Sequence, residues 1–115
     1  MANTFKLITK AGVTSADVIY TVAGSTTTVI LGLILGNTTS SSINATVTLG
    51  TDTGSRAGAN NEANEAVELI TTTPIPGNSS LELLSGNKVV METTDTLSVT
   101  GTAATDVALS IMEIT

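Results

Sequence analysis

The residues with the strongest claim to chemistry are Asp52-Thr53-Gly54-Ser55, which spell the DTGS signature of aspartic proteases. That mechanism needs two carboxylates about 3 Å apart that share one proton, and small proteases supply the second one by dimer symmetry. Such enzymes set the Asp on a buried loop behind apolar residues, whereas Gly50 and Thr51 stand before it here. No apolar-apolar-Gly element follows either, so a solvated turn accounts for the tetrapeptide better than an active site does. Ser85-Gly86-Asn87-Lys88 fits the S-x-x-K pattern of penicillin-recognising enzymes, in which the Ser opens a helix and aims its hydroxyl at the Lys. Between two short apolar runs, however, Gly86-Asn87 reads as a hairpin turn. Asp52, Glu62, Glu65 and Glu68 lack the D-x-[DN]-x-[DN]-G spacing of a Ca²⁺ loop and read as a solvated acidic edge. Three sequons, starting at Asn37, Asn44 and Asn78, are what chance produces in a chain so rich in Thr and Ser. We therefore expect no catalytic residue, no cofactor and no metal.

The missing residue types point the same way. The 115 residues include no His, Cys or Trp, which removes the commonest general base, the thiolate nucleophile and the usual ligands of structural zinc. A chain of this length forms one domain. Charged residues make up 12% of it against 41% apolar, with a net charge of −6. Lys6, Lys10, Arg56 and Lys88 are scattered and give no clustered footprint for a phosphate backbone, so no nucleic-acid partner is expected. Low charge combined with a mean hydropathy of +0.36 leaves a surface that implies cover by copies of itself or by a partner. The opening MANTFKLITKAGVT has no apolar h-region and does not resemble a signal peptide, so the expectation is a protein kept in the cytosol until it assembles.

The elements around these residues are strands. Ile43, Ala45, Val47 and Leu49 alternate with Asn44, Thr46 and Thr48; Leu97 with Val99, and Val107, Leu109 and Ile111, repeat the pattern. Further strands are expected at 4–9, 17–22, 66–70, 80–84 and 88–91, separated by turn chemistry at 23–26, 36–42, 73–80, 85–87 and 101–105. Pro74 and Pro76 confine their segment to a connection or an edge. The expected fold is all-β, a single-domain β-sandwich or jelly roll of about eight short strands spanning 1–115. Residues 51–66 form a surface loop in this reading, with a short helix from Asn60 as the alternative.

One run stands apart. Val29-Ile30-Leu31-Gly32-Leu33-Ile34-Leu35 is seven residues long, too short for the roughly 20 of a membrane-spanning helix, so no membrane partner is expected. As a strand it places Val29, Leu31, Leu33 and Leu35 on one face and Ile30, Gly32 and Ile34 on the other. A strand apolar on both faces is covered on both. Either a neighbouring subunit or the 54–69 segment of the same chain supplies the second cover. The expected contact residues for a neighbour are Ile30, Ile34, Met112 and Ile114, with the edge of the first strand, Thr4 to Thr9, open for strand pairing.

The blocks MANTFK, IYTVAGSTTTVILGLILGN, TPIPGNSSLELLSGNKVVMETTDTLSVT and LSIMEIT resemble, in this order, the small β-rich virion structural proteins of tailed phages, particularly those of marine cyanobacteria. The resemblance covers most of the chain apart from 51–66. It implies a particle component without enzymatic activity. An acidic protein poor in Lys and Arg is repelled by packaged DNA, which favours the outside of the shell. The expectation is a capsid decoration or cement protein bound to the major capsid protein or other virion proteins as a small homo-oligomer, a trimer favoured. A neck or tail subunit is the alternative, and a glycan-binding module comes third because Phe5 and Tyr20 are its only aromatics.

Overall fold

The structure, a computed structural model, describes residues 2–51, 65–84 and 86–115. Among them are nine strands: β1 (Asn3–Val13), β2 (Asp17–Thr21), β3 (Thr27–Asn37), β4 (Ile43–Gly50), β5 (Val67–Ile75), β6 (Ser80–Leu83), β7 (Val89–Met91), β8 (Thr96–Gly101) and β9 (Thr105–Ile114). One sheet has the order β1-β9-β3-β6, with β7 also on β3; the other has the order β2-β8-β4-β5. All pairings are antiparallel. Because β6 and β7 follow one another along the same side of β3, nine segments occupy eight strand positions. Two four-position sheets, joined mostly by connections that cross from one to the other, make a jelly-roll sandwich.

The alternating segments behave as their pattern dictates. Ile43, Ala45, Val47 and Leu49 of β4, Leu97 and Val99 of β8, and Val107, Leu109 and Ile111 of β9 are all buried between the sheets. Each such Leu, Ile or Val contributes about 1.5–3 kcal/mol by leaving water. Two strands run further than their patterns suggest. β1 reaches Val13, and β5 continues through Pro74, which is tolerated because β5 is an edge strand of its sheet.

The apolar run in β3 differs from its expected geometry. Ile30 pairs with Ile111 and Gly32 with Ser110, so Leu31 is an extra residue bulged out of the ladder. A bulge shifts the alternation by one. Thr28 and Ile30 before it, and Leu33, Leu35 and Asn37 after it, all point into the core. Ile30 is therefore a core residue with 0% exposure, and its place in an intermolecular contact is withdrawn. Ile34 lies on the opposite, outward face.

Two polar networks close the sandwich. At one end Asn37 is buried, and its Nδ2 donates to the carbonyls of Ser41, Ile75 and Pro76 at 2.8, 2.9 and 3.2 Å, while its Oδ1 accepts from the N–H and hydroxyl of Thr39. This amide ties the β3–β4 turn to the β5–β6 connection, and its full use inside the fold leaves no room for a glycan on the first sequon. At the other end the Tyr20 hydroxyl donates to Glu113 Oε2 at 2.6 Å and meets Thr28 Oγ1 at 2.7 Å. Since the phenol's one proton goes to the carboxylate, Thr28 is the donor in the second bond. Lys6 Nζ completes the chain 2.7 Å from Glu113 Oε1, so four strands from both sheets meet in it.

Burial, and then the Glu113 carboxylate that accepts its proton, push the Tyr20 hydroxyl up to about 12. The Lys6 ammonium first, and Tyr20 second, hold the Glu113 carboxyl below its ordinary range. Linkage gives the two groups opposite signs. The stability tied to Glu113 is complete above the ~4.3 of an unfolded Glu and is lost as pH falls through the lower folded value. That tied to Tyr20 is complete below the ~10 of an unfolded Tyr and is lost as pH rises through the folded value. With one Tyr and no Trp in the chain, phenolate absorbance reports this site alone. We expect the native protein to titrate near pH 12, and Glu113→Gln to bring the midpoint down; a wild-type midpoint at ~10 would contradict the network.

Candidate functional site: the outer face of the β1-β9-β3 sheet

The sandwich has two outer faces of different chemistry. On the β2-β8-β4-β5 sheet the outward positions of the two central strands are Asn44, Thr46 and Thr48 of β4 and Thr96, Ser98 and Thr100 of β8. These β-branched hydroxyl residues suit a strand face in contact with water. The outer face of the other sheet is apolar. Phe5 of β1 lies opposite Met112 of β9, Met112 opposite Val29 of β3, and Val29 opposite Val90 of β7, so one row of large apolar side chains crosses the whole sheet. In the next row Leu7 faces Ser110, which faces Gly32; beyond it Ala108 faces Ile34, which faces Glu82.

The described residues include six exposed large hydrophobics: Phe5 (71%), Leu7 (66%), Val18 (54%), Val90 (53%), Val67 (47%) and Ile34 (44%). Phe5, Leu7, Val90 and Ile34 all belong to this one face. Antiparallel sandwiches normally turn polar side chains outward, and the two central strands of the other sheet do so. Four of these six exceptions thus lie together on one face.

The face is hollow on its β3 side, away from β1. Where β6 has ended and β7 has not begun, Leu31, Gly32, Ile34, Glu82 and Gly86 help to line a depression of about 290 Å³. A Cβ built on Gly32 meets nothing within 4 Å, so the missing side chain deepens the floor. The bulge at Leu31 and the absent side chain of Gly32 thus open a gap between the apolar row and the row that runs from Ala108 through Ile34 to Glu82.

Of the contact residues expected from the sequence, the structure brings Ile34, Met112 and Ile114 to this face and places Ile30 beneath it. The open edge of β1 is present, since β1 pairs with β9 on one side and ends the sheet on the other. Phe5, Leu7, Val90 and Gly32 were not expected there. Phe5 and Leu7 alternate with Lys6 and Ile8, and that alternation is the signal for a face; on an edge strand it does not say which face is the core. The segment weighed as an intramolecular cover falls largely outside the described residues, and its described part enters β5 in the other sheet.

Asp52 to Ser55, Arg56, Asn60, Glu62 and Ser85 lie outside the described residues, and with them the DTGS motif, the alternative helix, most of the 51–66 loop and the Ser of S-x-x-K. Among the described residues no group of three or more carboxylates stands where it could hold a metal ion. They include no helix long and apolar enough to cross a membrane.

No family model matches the chain, and no curated protein matches it. A solved structure from work on how Bacillus endospore appendages form a novel family of disulfide-linked pili is 18% identical, with 99% of this chain and 87% of that chain covered, at a TM-score of 0.49. A likeness at that level carries no argument about assembly or function.

Proposed function

We propose that this protein is a structural subunit of a phage virion, a decoration or cement protein on the outside of the head, and that it acts by burying surface. The observation that carries this reading is the contrast between the two outer faces: one lined with hydroxyls along its central strands, the other crossed by Phe5, Met112, Val29 and Val90. A face of that kind holds neighbours together without chemistry. Standard interfaces bury about 1,600 Å² in all, and repetition over a shell multiplies a modest contact. The open edge of β1 offers backbone N–H and C=O groups to a neighbouring strand. The net charge of −6 keeps the subunit away from packaged DNA and favours the outer surface. This is a role without catalysis, and the resemblance of the sequence blocks to small virion proteins supplies the particle in which it is played.

The test is a density map of intact virions carrying this chain, combined with antibody labelling. The expected result is density for the jelly roll on the outer head surface, in contact with the major capsid protein. Density at the neck or tail would replace the decoration role with the other structural one, and absence from the particle would overturn the proposal.

A further inference from the structure

We infer that the apolar face is self-complementary, and that it is covered by the same face of a second copy related by a two-fold axis. The inference rests on the reading of the face as an interface and names its occupant. Phe5 is the most exposed large hydrophobic of the described residues and stands at the β1 edge of the face; the hollow over Gly32 lies two strands away on β3. The knob and the hole cannot meet within one chain. Neighbouring strands are about 4.8 Å apart, so two strand spacings separate Phe5 from Gly32 by roughly 10 Å or more.

Both features sit on one face of one sheet, so only a face-to-face partner engages both at once. A two-fold axis lying in the interface exchanges them: Phe5 of each copy enters the hollow of the other. The midpoint between the two lies on β9 between Met112 and Ser110, which places Met112 of the two copies side by side near the axis. Methionine, unbranched and deformable, suits a contact with itself. At about 290 Å³ the hollow is large enough to accept an aromatic side chain.

Phe5, Leu7, Ile34 and Val90 expose on the order of 400 Å² together, about half of the ~800 Å² per partner of a standard interface. The partly exposed Val29, Leu31, Met112 and Ile114 and the polar positions between them supply the rest of the contact. The pair replaces the trimer expected from the sequence, and the β1 edge remains available for the shell.

The chain contains no cysteine, so Phe5→Cys combined with Gly32→Cys creates the only thiols in the protein. A Cys at 5 is exposed and a Cβ at 32 has open space, so neither change disturbs the core. An intramolecular bridge is excluded, because cysteines with Cα atoms more than 7 Å apart cannot join. Under mild oxidation we expect a covalent dimer of twice 11.6 kDa and nothing larger, the single variants failing to give it. Wild type should sediment as a dimer, and Met112→Lys, which sets two like charges side by side at the axis, as a folded monomer. A ladder of cross-linked species would mean head-to-tail contacts and overturn the two-fold axis. A monomeric wild type, or a dimer indifferent to Met112→Lys, would overturn the inference as a whole. Neither outcome bears on whether virions carry the chain, which the density map decides separately.

Discussion

Ile30→Ala should cost about 2–5 kcal/mol of folding stability, whereas Ile34→Ala, four residues along the same strand, should change it by no more than about 1 kcal/mol. Ile30 is wholly enclosed between the sheets opposite Ile111 and Val89, and removing its side chain leaves a void that close-packed neighbours fill only in part. Ile34 points outward with 44% of its surface in water, so truncation removes little buried area from the isolated chain. In a domain of about 100 residues each kcal/mol moves the melting temperature by roughly 4–8 °C, so Ile30→Ala should melt ten or more degrees below wild type. The variants should trade places in an association assay at concentrations where Ile30→Ala remains folded: Ile34→Ala weakens pairing, and Ile30→Ala leaves it near that of wild type. Thermal melts and sedimentation of both variants check the bulge at Leu31. Equal melting temperatures would mean that the alternation runs through β3 without a shift.

That pair of residues also marks the limit of what the sequence discloses. Where apolar and polar residues alternate, as in β4, β8 and β9, the buried side follows from a period of two, and every residue assigned inward there is buried. From Val29 to Leu35 both parities are apolar apart from Gly32, so the period is present but silent about direction, and a one-residue bulge leaves no trace in composition. Ile34, Met112 and Ile114 were legible as apolar residues on faces the core does not claim. The pairing of Phe5 with Met112 was not, because partners more than a hundred residues apart are set by topology rather than by spacing. The extent of β5 was hidden by Pro74, which usually ends a strand and here occupies a sheet edge where a missing N–H costs no ladder bond. Gly32 gives no signal of its own in the sequence; its part in the hollow depends on the bulge beside it and on the break between β6 and β7.

Asn37→Asp should be among the most damaging single-atom changes available to this fold, at about 3–5 kcal/mol near neutral pH. The substitution keeps shape and volume but turns a donor into an acceptor. Nδ2 of Asn37 donates to three carbonyls, those of Ser41, Ile75 and Pro76; an Asp oxygen in its place faces three like partial charges while buried. The ionised form loses its hydration and gains no partner there, since the other carboxylate oxygen already accepts from Thr39. The folded state therefore favours the protonated carboxyl, and the pKa of the new Asp in the folded state lies above its unfolded value of ~3.9. The sign of the pH dependence follows: the variant binds more protons folded than unfolded, so its stability relative to wild type rises as pH falls from 7 toward 4. Part of the loss returns at low pH, because a protonated carboxyl donates one of the three missing bonds. Asn37→Ala, which leaves the same carbonyls without a donor but introduces no charge, should lose about 1–3 kcal/mol with no such pH dependence. Denaturant unfolding of the three proteins at several pH values separates these effects. An Asp variant as stable as wild type at pH 7, or one that weakens relative to wild type on acidification, would mean that this amide does not hold the β3–β4 turn to the β5–β6 connection.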